Sequence, residues 1–151
     1  MKNLLSLYEM GWDGQDVEDQ TRGGRKMGNM DFKEIYISLD GRFNRAKYWL
    51  AYLPLILISL LATYADFSTG SLDAQTGIGP ISAIASIILI WPSISLGVKR
   101  CHDRDRSGWF LLIGIIPLLG ALWILVELGF MRGTVGDNRF GADPLAGLET
   151  P

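Results

Sequence analysis

His102 and Asp103 are adjacent, and an imidazole beside a carboxylate is the pairing that acid–base chemistry uses near neutral pH. Cys101 precedes them and Asp105 follows, so side chains able to ligate a metal crowd one short stretch. The spacing argues against both chemistries. Neighbouring side chains on a helix point about 100° apart, so a dyad in sequence need not be a dyad in space. The chain has one His and one Cys, which excludes an intrachain disulfide and falls short of the separated ligand pairs of structural zinc sites. No catalytic residue, metal or cofactor is expected, and the chain is not expected to be an enzyme. His102 and Asp103 are expected instead to satisfy backbone or arginine groups where two helices meet.

The other polar motifs read in the same way. Arg42 and Arg45, after Gly41 and ahead of Trp49, are three residues apart and share a face of any helix that contains them. Guanidinium groups there suit lipid phosphates, or the acids Asp103 and Asp105. Arg100 stands among four basic residues between 99 and 107, and Ser107-Gly108 suits a helix start, with Ser107 as N-cap and Gly108 allowing a tight entry. Downstream, Gly133, Thr134, Gly136, Asn138, Arg139, Gly141, Asp143 and Pro144 form a turn-rich run. Such spacing can make an anion nest, but the Lys-Ser/Thr ending and strand–helix setting of a phosphate loop are missing. A compact capping turn is expected.

The elements that must hold these motifs are apolar helices. Hydrophobic residues are 48% of 151, and the formal net charge is −2, but the chain is segregated: charges crowd the first 47 residues and residues 48–65 carry none. A net charge of −2 without a concentrated basic face gives no reason to expect a nucleic-acid partner. Residues 48–65 would rise about 27 Å as a helix, close to the roughly 30 Å of hydrocarbon, with aromatic residues at both ends. Residues 78–98 and 108–127 are further candidates, with Glu127 closing the last. Three wholly apolar helices leave too little polar surface for a soluble domain of this size. The expected fold is all-α: an integral membrane protein with three transmembrane helices and a short amphipathic helix ahead of them. That helix is read from Phe32, Ile35, Tyr36 and Leu39, which share one side of residues 31–39.

Residues 1–29 lack apolar periodicity and read as a disordered extension; Met27 or Met30 is an alternative start. Residues 146–151 read as a loose tail. Gly79, Ser82, Ser86, Ser93 and Gly97 line up as a small-residue stripe, and Gly114, Pro117 and Ala121 as a second, both suited to close helix contact.

Lys and Arg set the orientation. Arg42, Arg45 and Lys47 precede the first span and Lys99, Arg100, Arg104 and Arg106 follow the second, while residues 66–77 carry no basic residue. The N-terminus is therefore expected in the cytoplasm, and three full crossings would leave the tail outside. A rival topology bends the third segment back at Pro117 and Gly120 as a re-entrant hairpin, returning the tail to the cytoplasm. Lipid tolerates that only where protein shields the broken backbone.

With these motifs in view the chain resembles the DUF805 family of small bacterial inner-membrane proteins, over about residues 30–145. The resemblance rests on Gly41-Arg42-Phe43-Asn44-Arg45-Ala46-Lys47-Tyr48-Trp49, on the run from Lys99 to Trp109 containing Arg100, His102-Asp103 and Ser107-Gly108, and on the run from Gly133 to Pro144. Lys99 stands where the family often has Arg, and Leu39 where an aromatic is common. The resemblance implies a bacterial inner-membrane location and no assigned activity. The leading expectation is a noncatalytic multi-pass membrane module that forms helix–helix assemblies. Its expected partners are membrane lipids with anionic headgroups, and either further copies of itself or another membrane protein. An oligomeric small-solute transporter or channel component, with Glu127 as its ionisable residue, is the first alternative. A membrane enzyme acting on lipid headgroups through His102 and Asp103 is the second.

Overall fold

The computed structural model describes residues 31–146. The readings made for residues 1–29, and for the tail beyond Ala146, fall outside them. The described chain is helical: α1 (Phe32–Tyr36), α2 (Arg45–Ser68), α3 (Pro80–Asp103), a 3-10 segment (Gly108–Ile115), α4 (Leu119–Ile124) and a π-helical turn (Leu125–Phe130) that continues it.

α2 and α3 are 24 residues each, about 36 Å at helical rise, enough to cross a bilayer. Asn44 starts α2, its side-chain oxygen accepting from the Lys47 amide at 2.8 Å. The start of α3 is capped from outside: the buried Asp66 carboxylate, at the end of α2, accepts from the Ile81 amide at 3.1 Å and the Ser82 amide at 2.7 Å. Negative charge at a helix N-terminus satisfies orphan donors and opposes the positive dipole end. Between the helices, Asp73 gathers the Thr76 amide and hydroxyl, each at 2.8 Å, and these bonds hold its carboxyl below the ordinary range. Asp66→Ala is expected to lower the detergent unfolding midpoint by several degrees, and Asp73→Ala, in an exposed turn, to leave it nearly unchanged; equal effects would refute the capping role.

α2 and α3 pack along each other around Phe43, Ala51, Leu55, Leu89 and Leu96. Their outer faces are bare: Leu61 is 68% exposed and Ile87 69%. Only 22% and 28% of their apolar windows are buried within the chain. A soluble protein's central helix would be buried on all sides, so these helices suit lipid contact. The small-residue stripe of α3 is used inside the chain: Ser82 meets Asp66, Ser86 donates to the Ser82 carbonyl at 2.7 Å, and Gly97 abuts Leu111.

The expected continuous span over 108–127 is not present. The 3-10 segment covers about 16 Å in its eight residues, near half a bilayer. The chain then turns at Pro117 and Leu118, where Leu118 takes φ +60°, and α4 runs back along the 3-10 segment. At this crossing Gly120 lies so close to Ile113 that a Cβ would stand 1.9 Å from the Ile113 carbonyl oxygen. Hairpin amides find partners within it, Gly120 donating to the Ile116 carbonyl at 3.0 Å and Leu122 to Leu118 at 2.9 Å. Apolar periodicity is the same for a straight helix and a folded pair of half-length helices, so the sequence pattern did not separate them. In consequence residues 128–143 return to the end of the bundle that holds Arg42 and Asp103. The three-crossing topology, with the tail opposite the N-terminal motif, is corrected on that contact.

Two smaller expectations also change. Lys99 and Arg100, expected beyond the end of the second apolar helix, lie inside it: α3 runs on to Asp103, because nothing breaks the helix before Asp105, at φ +54°. The helix expected across 31–39 is five residues long, Phe32–Tyr36, and Phe32 on it is 69% exposed. It is pinned to the bundle through its last carbonyls: Lys99 donates to Glu34 and, at 2.8 Å, to Ile35, Trp91 to Ile37 at 3.1 Å, and Ser95 to Ser38 at 2.6 Å. Tyr36 donates to the Ala51 carbonyl at 3.1 Å, and burial pushes its phenol above the usual range.

Candidate functional site: a polar cluster at one end of the bundle

The three separated motifs meet at one place. Gly41, in a left-handed turn at φ +90°, delivers Arg42 beneath the tail, where its side chain is fully buried. Arg42 donates from Nη1 to the carbonyls of Gly136 (2.8 Å) and Gly141 (3.1 Å). Its Nη2 donates to the Thr134 carbonyl (2.9 Å) and hydroxyl (3.2 Å) and to Asp103 Oδ1 (3.3 Å). Arg100, one turn before Asp103 on α3, pairs with Asp103 Oδ2 and donates to the carbonyls of Leu128 (2.6 Å) and Met131. Asp103 therefore lies between two buried guanidinium groups.

The tail closes over this pair. The Thr134 amide and hydroxyl donate to the Asp103 carbonyl at 2.8 and 3.0 Å. Gly133 lies so close to Asp103 that a Cβ would stand 2.0 Å from Oδ2, so the approach needs glycine. Asn138 donates to the His102 carbonyl at 2.8 Å, and Asp143 accepts from the Gly136 amide at 2.7 Å. Pro144 is buried beside them. Arg139 sits at the rim, pairing with Asp105 at 3.1 Å and lying 4.8 Å over the Phe140 ring.

His102 and Asp103 do not form a spatial dyad. The imidazole stacks on Phe140, centroids 3.9 Å apart and planes 5° apart, with Nδ1 3.3 Å from the Gly41 carbonyl oxygen. Asp103 turns the other way, to the arginines. Both oxygens of the Asp103 carboxylate are taken up by guanidinium groups, which leaves neither to orient an imidazole, and Cys101 close by is wholly buried. Among the described residues, no three of His, Cys, Asp and Glu converge as a metal site would require. What the arrangement does chemically is satisfy backbone: arginine forks supply donors to the carbonyls that a short helix end and an irregular tail leave unpaired.

Of the remaining motif residues, Arg45 donates to the Phe130 carbonyl at 3.1 Å and Trp49 Nε1 to Gly129 at 3.1 Å, both closing the π turn. Of the two acids proposed for the arginine pair, Asp103 takes Arg42 and Asp105 takes Arg139. Ser107 begins the 3-10 segment without a side-chain cap bond, and Gly108 abuts Val98; both stand apart from the cluster.

Sequence reasoning missed several participants. Lys99, wholly buried, reaches the α1 carbonyls and lies 5.0 Å over the Phe43 ring. Glu127, taken as the far end of a third span, sits at this end instead, paired with Arg104 at 2.8 Å and Arg106 at 3.0 Å. An acid closing an otherwise charge-free stretch, with arginines unassigned nearby, was the available signal. Phe140 carried none.

Comparison with known proteins agrees with this arrangement of motifs. The family described as protein of unknown function (DUF805) matches residues 36–142. The chain is 36% identical over 109 residues to the inner membrane protein YhaH of Escherichia coli K12, covering 72% of this chain and 88% of that one. It is 29% identical over 138 residues to the uncharacterized protein YiiR (76% and 90%) and 28% identical over 113 residues to the inner membrane protein YhaI (74% and 90%), both from the same organism. No solved structure matches the chain. The match runs from α1 through both long helices and the hairpin into the tail that covers Asp103, and the chain belongs to the DUF805 family.

Proposed function

We propose that the protein is a noncatalytic multi-pass module of the bacterial inner membrane. In this reading α2 and α3 cross the bilayer, and the hairpin of the 3-10 segment and α4 dips in and returns. The polar cluster with its tail faces the cytoplasm, α1 lies at that surface, and the module assembles through its outer faces with itself or another membrane protein. The observation that carries the reading is the internal use of the polar groups: Arg42, Arg100 and Asp103 are buried and bonded to one another and to backbone. A cluster so occupied serves architecture. The bare isoleucine and leucine faces of α2 and α3 are the surfaces left for assembly.

Orientation follows from charge. Arg42, Arg45, Lys99, Arg100, Arg104 and Arg106 lie at the cluster end, whereas the opposite connection, residues 69–79, has no Lys or Arg. The names of the relatives YhaH and YhaI support the inner membrane. Transport is less favoured, since Glu127 pairs with two arginines. The headgroup enzyme is less favoured because His102 and Asp103 face apart.

Two measurements test this. A reporter active only in the cytoplasm, fused after Ala146, is expected to be active; activity only of an exported reporter would overturn the hairpin topology. Crosslinking in native membranes is expected to recover a specific oligomer or partner, and a strictly monomeric, partner-free species would overturn the assembly role.

A further inference from the structure

A small open pocket separates the start of α2 from the first tail residues, lined by Asn44, Arg45, Asp103, Arg132 and Asp143 among others. We propose that it binds the phosphate of an anionic phospholipid headgroup. The proposal rests on the membrane reading above, with the cluster end at a bilayer surface.

Three features converge on that ligand. The first is charge. Arg45 is exposed and donates only from Nη1, to the Phe130 carbonyl, so Nε and Nη2 have no partner among the described residues. Arg132 adds a second exposed guanidinium to the lining. Both acids of the lining are already engaged: Asp103 is held between Arg42 and Arg100, and Asp143 accepts the Gly136 and Leu145 amides. The second feature is the helix start. The first-turn amides of Arg45 and Ala46 have no intrahelical carbonyl to bond, and the positive dipole end of a 24-residue helix opens beside the pocket.

The third feature separates a lipid from a free anion. One turn along α2, Trp49 meets Phe130 with centroids 6.3 Å apart, the rings being 38% and 62% exposed. An amphipathic aromatic pair one helical turn from Arg45 marks headgroup depth and offers an apolar path for the chains of a lipid whose phosphate the arginines hold. A soluble phosphate would gain nothing from it.

The test uses the full-length protein in nanodiscs of mixed phosphatidylglycerol and phosphatidylcholine, with lipids that remain bound read by native mass spectrometry. Phosphatidylglycerol is expected to be retained in preference. The double variant Arg45→Gln/Arg132→Gln is expected to cut that retention about thirtyfold, from the surface attraction of two arginines. Arg139→Gln, at the rim, should leave retention unchanged. Equal retention of the two lipids, or undiminished retention by the double variant, overturns the proposal. So does displacement of the bound lipid by inorganic phosphate alone, which would make this a site for a free anion. Should the double variant fail to fold, Arg45→Lys/Arg132→Lys, which keeps the charge, must retain the preference. A reporter that places the tail outside would defeat the topology itself; cytoplasmic reporter activity with no lipid preference defeats only this site.

Discussion

Asp103→Ala is expected to destabilise the protein by about 3–5 kcal/mol, the scale seen when one partner of a buried charge pair is removed. Asp103 is 3% exposed and is the common partner of two guanidinium groups that are themselves buried. Removing it leaves the buried Arg42 and Arg100 without their shared counterion. The destabilisation should propagate along the bonds those arginines make, since Arg42 holds the Thr134, Gly136 and Gly141 carbonyls and Arg100 those of Leu128 and Met131. The tail should therefore become susceptible to protease before the long helices unfold. Equilibrium unfolding in detergent gives the total, and limited proteolysis at Arg132 and Arg139 gives the location.

The same position supplies a test of coupling. Arg42→Ala alone strands part of Asp103's charge, Asp103→Ala alone strands both arginines, and the double change strands only Arg100. The double variant should lose less than the sum of the two singles, by about 1–3 kcal/mol. Strict additivity would show that the two groups do not act on each other. Asp105→Ala is the comparison: its pair with Arg139 is exposed on both sides, 61% and 47%, and should contribute about 0–1 kcal/mol. A deficit at Asp105 as large as at Asp103 would mean that burial is not what gives the cluster its energy.

The membrane-length helices were legible because lipid imposes a length and a uniform polarity that survive without any knowledge of contacts. Residues 48–65 fall inside α2 and most of residues 78–98 inside α3. The Arg42–Asp103 pair was legible from charge: an arginine held near a bilayer surface seeks an acid, and few acids were in reach. Interactions with backbone were not legible. Lys99 and Arg100 take carbonyls that any residue type would present, so nothing at Glu34, Ile35, Leu128 or Met131 announces them. Asp66 was hidden for a related reason. Its partners are the amides of Ile81 and Ser82, fifteen and sixteen residues away, and only the closing of α2 on α3 brings them together.

The third apolar segment was ambiguous for a different reason, and Gly120→Ala decides it by sign. In a continuous span, alanine is the better helix former by about 0.8–1.0 kcal/mol, so the change would stabilise. In the hairpin the new Cβ would stand 1.9 Å from the Ile113 carbonyl oxygen, and the obstacle is backbone that no rotamer change can clear. The expected result is a loss of about 1–3 kcal/mol, the range for overpacking a tight contact. The loss should come with weaker attachment of the returning strand of the hairpin, because α4 leads directly into the π turn whose carbonyls Arg45, Trp49 and Arg100 hold. Unchanged or raised stability would place a straight helix where this structure has a reversal. It would also carry the tail to the opposite membrane face, away from Asp103, so one methyl group tests both the hairpin and the cluster that depends on it.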